Sequence, residues 1–127
     1  MQGKHLFEYA IIRVVPRVER EEFLNIGVIL YCKKENFLQV KYQLDEKRLH
    51  CFSGFIDVAE VKDHLCSFER ICLGDPAAGP IGKLDMASRF RWLTATRSTV
   101  VQPSKVHPGF SANALETLNK IFNQLVA

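Results

Sequence analysis

Three extended runs within residues 6–44 dictate most of what this chain can become. In FLQVKYQL, residues 37–44, Leu38, Val40, Tyr42 and Leu44 alternate with Phe37, Gln39, Lys41 and Gln43. A period of two puts the first set on one side of a pleated strand and the second set on the other, the pattern of a half-exposed strand. LFEYAIIRVV, residues 6–15, is rich in β-branched and aromatic side chains and reads as a first strand buried on much of both faces, and the run from Asn25 to Cys32 reads as a second strand. Pro16 cannot donate to a ladder and ends the first of them. The segment KKEN, residues 33–36, suits a tight turn between the second and third, with Asn36 able to take a positive φ. An antiparallel meander is the economical arrangement. Arg13 sits inside an apolar run, where an unpaired charge is costly, so it needs a partner or a place at the sheet edge.

The period then changes from two to three or four. Asp45 can cap a short helix carrying Leu49 and Phe52 that ends near Ser53 and Gly54. Asp57 and Glu60 have capping-box spacing, and Val58, Val61, Leu65, Phe68 and Cys72 form a helical stripe up to Gly74. DPAAGPIG, residues 75–82, is a loop. Met86 to Leu93 is predicted helical and Thr99 to Gln102 a short strand; QPSKVHPG, residues 102–109, is expected to be a loop because Pro103 and Pro108 hold their predecessors away from helical angles. Ser111 is the expected cap of a last helix with Leu115, Leu118, Ile121, Phe122 and Leu125 on its apolar side. Strands first and helices later predict an α+β fold: an antiparallel sheet of three to four strands packed against three or so helices, in a single domain over residues 1–127.

Composition removes several function classes. No apolar run approaches the ~20 residues needed to span a bilayer, so no membrane segment is expected. MQGKHLFEYA has no export signal, and a cytoplasmic address follows by default. Cys32, Cys51, Cys66 and Cys72 lie 19, 15 and 6 residues apart with no C-x-x-C pair, so reduced thiols are expected, with no metal and no cofactor. The net charge of +3 is concentrated in residues 81–110, where Lys83, Arg89, Arg91, Arg97 and Lys105 face only Asp85. With a pI of 8.7 and acidic neighbours the chain lacks the broad basic face of nucleic-acid binders, and nucleic acid ranks last among its partners.

That basic segment includes RFRWLTATRSTVVQPSKVHPGF, residues 89–110, which also holds the only tryptophan. Phe90, Trp92 and Leu93 give it bulk to bury, and burial would fix the polar side chains around them. Arginine's planar fork suits carboxylate or phosphate, and the first amides of the following helix would add partial positive charge, so an anion pocket is expected here. The competing expectation is structural: arginines stack on tryptophan, and loop serines and glutamines satisfy backbone. For catalysis the segment offers only His107 with Ser98, Ser104 or Ser111 and no orienting acid, and no nucleophile elbow, phosphate loop or H-E-x-x-H occurs, so the residues lean against an enzyme.

EREEFLNIGVILYC together with RFRWLTATRSTVVQPSKVHPGF resembles a bacterial family known only as domain of unknown function 3037. Phe23, Asn25, Gly27 and Val28 match its Phe-x-Asn-x-Gly-Val stretch. Arg89, Phe90, Trp92, Leu93, Arg97, Ser98, Gln102, His107 and Gly109 match a later Arg-Phe-x-Trp-Leu, Arg-Ser, Gln and His-x-Gly series, while Thr96 stands where many relatives have proline. The resemblance implies no activity. Its members are often encoded beside HipA-like kinases, which implies a partner or regulator role. It also joins Asn25 to the later segment as one candidate surface of Asn25, Arg89, Trp92, Arg97, Ser98, Gln102 and His107, with His107 the weak candidate for a catalytic role. The leading expectation is therefore a non-catalytic protein-interaction or regulatory module. A small anionic-ligand binder, or a weak hydrolase or transferase using an Arg/Gln/His pocket, comes second, and nucleic-acid binding third.

Overall fold

A computed structural model describes residues 3–16, 22–54, 56–95 and 99–127. In chain order the elements are β1 (His5–Val14), β2 (Leu24–Cys32), β3 (Phe37–Tyr42), α1 (Glu46–Phe52), α2 (Val58–Leu73), α3 (Met86–Leu93), β4 (Val101–Pro103), β5 (His107–Ser111) and α4 (Ala114–Leu125), with two short 3-10 turns, Pro76–Ala78 and Pro80–Lys83, before α3. The fold is α+β, as predicted. No helix among the described residues is long and apolar enough to cross a membrane.

β3, β2 and β1 form the expected antiparallel meander, with Asn36 at φ 51 in its turn. The far edge of β1 is shared by two short strands laid end to end. β4 pairs with Ile12, Arg13 and Val14, and β5 with residues 5–9. The prolines that predict a loop over residues 102–109 instead sit within these edge strands, where a missing N–H costs little. Ser104 bridges the gap between them: its N–H donates to the Ile11 carbonyl at 2.8 Å, and its Oγ accepts from the Ile11 N–H at 2.8 Å. Both polar groups of Ile11 are thereby satisfied where the ladder breaks.

Alternation along β1 divides the core in two. Ala10, Ile12 and Val14, with Ile29 and Leu38, pack beneath Leu49 of α1, Val61, Leu65 and Phe68 of α2, and Phe90 and Leu93 of α3. Phe7 and Ile11, with Val28, Leu30 and Cys32, pack against Leu118, Ile121 and Phe122 of α4. Helices thus lie on both faces of the sheet, including the side of β3 that the sequence predicts to be solvated. Lys41 adapts by holding its Nζ over the Phe122 ring, 4.9 Å from the centroid, and donating to Asn119 Oδ1 at 2.8 Å.

The helix ends follow local chemistry. The Asp57 carboxylate accepts from the Ala59 and Glu60 amides, and α2 stops at Gly74, whose φ of 69 is the left-handed cap conformation. α4 begins after Asn113, whose side chain accepts from the Glu116 N–H. The expected cap, Ser111, is the last residue of β5 and bonds the Asn113 backbone and the Thr117 hydroxyl instead.

Candidate functional site

α3 starts where Asp85 accepts from the Ser88 N–H at 2.7 Å, and hydrogen bonding from the Ser88 hydroxyl first, then from this N–H, holds the Asp85 carboxyl below its ordinary range. Its buried side presents Arg89, Phe90 and Leu93, and Phe90 stacks on Tyr31 with ring centroids 5.4 Å apart. Anchoring therefore falls to Phe90 and Leu93. Trp92, expected to be buried with them, points to the other side and is 41% exposed.

Arg89 is 8% exposed, and its Nη1 donates to the carbonyls of Ile71 at 3.0 Å and Cys72 at 2.9 Å. These carbonyls lie in the last turn of α2, where the helix dipole also favours a cation; Ile71 accepts from the Gly74 N–H at 3.1 Å as well. Arg89 thus ties α3 to the end of α2 through Nη1, while its buried Nε has no hydrogen-bond partner among the described residues. The same burial pushes the Cys72 thiol from its ordinary 9.0 up to about 12, against a smaller opposing pull from the Arg89 charge. Because the folded state favours the protonated thiol, its contribution is fully present below pH 9 and is lost as pH rises toward 12. Wild-type protein should therefore lose stability more steeply than Cys72→Ala between about pH 9 and 11 in parallel urea titrations. Equal slopes would contradict this burial.

The remaining candidates separate along the other face. Gln102 lies opposite Arg13 on β1 and donates to the Thr99 carbonyl at 2.8 Å. His107 is exposed on β5 opposite Tyr9, with the two rings 5.3 Å apart. Four residues along a strand is ~13 Å, so Gln102 and His107 do not share a pocket, and Arg89 lies on the opposite side of the sheet. Arg97 and Ser98 lie outside the described residues.

The structure does bring Asn25 and Gln102 together, through a residue not included in the predicted surface. Arg13 is the direct neighbour of Asn25 on β2 and of Gln102 on β4, which makes a polar row across three strands. Its guanidinium lies 4.0 Å over the Phe23 ring, the aromatic partner that a charge in an apolar run requires. The Asn25 Nδ2 donates to the Leu125 carbonyl at 3.2 Å, helping to hold the end of α4, and Arg48 Nη1 donates to the next carbonyl, Val126, at 3.0 Å. Among the described residues the buried Arg13 Nε and Asn25 Oδ1 have no hydrogen-bond partner. A donor and an acceptor side by side and both unsatisfied are suited to a small polar ligand or a water.

A second feature occupies the opposite face at the start of β1. α3 covers only part of the sheet, leaving an open cleft of about 570 Å³ lined by Leu6, Glu8, Tyr31, Lys33, Lys34, Asp85, Met86 and Arg91, among others. Leu6 lines it, and Phe110 is the direct cross-strand neighbour of Leu6; the two are 51% and 59% exposed. Lys33 and Lys34 of the β2–β3 turn and Arg91 of α3 share the lining with the carboxylates of Glu8 and Asp85 and with apolar Leu6, Phe7 and Met86.

These features define a small α+β domain whose sheet carries helices on both faces and whose exposed surface offers an apolar cleft and a polar row. The chain belongs to the family described as Protein of unknown function (DUF3037), whose model matches residues 9–126. No curated protein and no solved structure matches it.

Proposed function

We propose that this protein is a non-catalytic protein-interaction module that docks a partner in the cleft beside Leu6 and Phe110. The observation that carries this reading is the pairing of two large exposed apolar side chains at the edge of a concavity rimmed by Lys33, Lys34 and Arg91. An apolar centre among charged groups is the anatomy of a binding interface, and three cations against the two carboxylates of Glu8 and Asp85 leave a small bias toward a partner segment with acidic residues flanking apolar ones. Pro108 lies within β5 and blunts it against strand addition, so side-chain docking is the mode this edge supports. The partner we name is a HipA-like kinase, on the gene neighbourhood that the family resemblance implies. In this reading the protein works in the bacterial cytoplasm, in keeping with its four free cysteines.

The test is co-purification and calorimetry with the neighbouring HipA-like kinase, comparing wild type with the double variant Leu6→Glu and Phe110→Glu. Loss of two interface anchors should weaken binding by about 100-fold or more. The melting temperature should barely move, because both side chains are exposed. Undiminished affinity in the double variant would refute the docking face.

A second reading, capture of a protonated oxyanion by the polar row, rests on the unsatisfied Arg13 Nε, which can donate to an anionic oxygen, and Asn25 Oδ1, which can accept from a P–OH. It requires hydrogen phosphate to raise the melting temperature of wild type and not of Arg13→Met. Equal responses would remove it.

A further inference from the structure

We propose that His5, Cys32 and Glu35 form a binding site for a divalent transition-metal ion of the zinc type, next to the first turn of α4. His5 opens β1, Cys32 closes β2 and Glu35 sits in the turn that follows, so three separate positions of the hairpin edge converge. Their ligand atoms all lie within 4.8 Å of one another. The Nδ1 of His5 is 3.4 Å from Glu35 Oε2, and Cys32 Sγ is 3.6 Å from the same oxygen.

Those two edges match tetrahedral zinc. With Zn–N and Zn–O near ~2.1 Å and Zn–S near ~2.3 Å, a tetrahedron sets its N···O edge at about 3.4 Å and its S···O edge at about 3.6 Å. The His5 contact at 3.4 Å is long for a nitrogen–oxygen hydrogen bond, which favours ~2.7 to 3.2 Å, so hydrogen bonding alone holds the imidazole loosely. Imidazole, thiolate and carboxylate are the donors that zinc takes, and one of each gives a neutral site around a divalent ion.

The surroundings fit as well. Glu35 is oriented from outside the cluster by the Ala114 N–H, which lies 3.0 Å from both carboxylate oxygens, leaving lone pairs toward the other two ligands. The carboxylate also offsets the partial positive charge of the α4 N-terminus, which would otherwise repel a cation. Cys32 is buried, whereas the His5 side chain is 35% exposed, so the fourth position opens to solvent or to a donor from a partner. The site lies on the α4 face, on the side of β1 opposite Leu6, and does not depend on the docking cleft.

Titrating the reduced full-length protein with Co2+ tests this directly. One equivalent should produce thiolate-to-cobalt charge-transfer absorption with the intense visible bands of a tetrahedral ion, and Zn2+ should displace it. The absorption should survive the double variant Cys51→Ser and Cys66→Ser and disappear in Cys32→Ser. His5→Ala, at the exposed rim where folding is not at stake, should weaken the affinity by about tenfold or more. Absence of the band at one equivalent, its persistence in Cys32→Ser, or unchanged affinity in His5→Ala would each overturn the site.

Discussion

Arg89→Ala is expected to lower the unfolding free energy by about 3–4 kcal/mol, combining two charge-assisted bonds with the packing of the arginine stem. The substitution removes the Arg89 Nη1 donor from the Ile71 and Cys72 carbonyls at the end of α2, leaving Ile71 only its bond from the Gly74 N–H. It also empties space that the backbone has been shaped to leave. A Cβ built on Gly74 would come within 2.8 Å of Arg89 Nη1, so the glycine serves both its left-handed conformation and the approach of the guanidinium. Arg89→Lys keeps the charge without the fork and should recover only part of the loss. Urea unfolding followed by circular dichroism measures all three proteins. A cost below about 1 kcal/mol for the alanine variant would mean that this arginine is not a structural tie.

Gly27→Ala is expected to cost about 2–3 kcal/mol, at the upper end for forcing one extra carbon into a packed site. A Cβ at this position would lie 2.9 Å from the Lys41 carbonyl oxygen and 2.9 Å from Tyr42 Cβ, both on the adjoining strand. Neither can swing aside as the tip of a long side chain would. The glycine also adjoins the bulge where pairing passes from Ile12 with Gly27 to Arg13 with Asn25, leaving Ile26 as the extra residue on β2. Opening the β2–β3 spacing there would strain the turn from β3, whose Gln43 N–H bonds the Ile26 carbonyl at 2.8 Å. Equilibrium unfolding of the alanine variant checks this, and stability equal to wild type would show that the strands separate freely.

Much of the architecture was legible because periodicity and capping chemistry are local. The alternation in residues 37–44 and the stripe from Val58 to Cys72 report the strand and the helix directly, and Asp57 and Gly74 mark the ends of that helix. β5 was not legible, because its prolines argue for a loop and its pairing with β1 depends on Ser104 bridging a break 93 residues away in sequence from Ile11. Nor could the side of β3 taken by α4 be read from Lys41, whose stem tolerates burial while its head stays polar; Gln39 on the same side remains exposed.

The candidate site divides for the same reason. An arginine near a tryptophan reads as a ligand clamp until its acceptors are seen to be helix carbonyls 17 and 18 residues back. Arg13 carried a usable signal, a charge within an apolar run, and it proves to be the residue that aligns Asn25 with Gln102. His5, Cys32 and Glu35 gave none: metal motifs are recognised by close spacing of donors, and here the first donor lies 27 residues before the second. Leu6 and Phe110 were invisible as a pair because only the β1–β5 register makes them neighbours.

The central claim is that partner binding uses the Leu6–Phe110 cleft while Arg89 holds helix ends in place. Amide hydrogen exchange of the protein, free and mixed with the proposed partner, a HipA-like kinase, tests it most directly. Protection on binding should appear in residues 5–9, 31–35, 85–91 and 107–111. Protection confined to the outer surfaces of α2 and α4, with those four stretches unchanged, would contradict it.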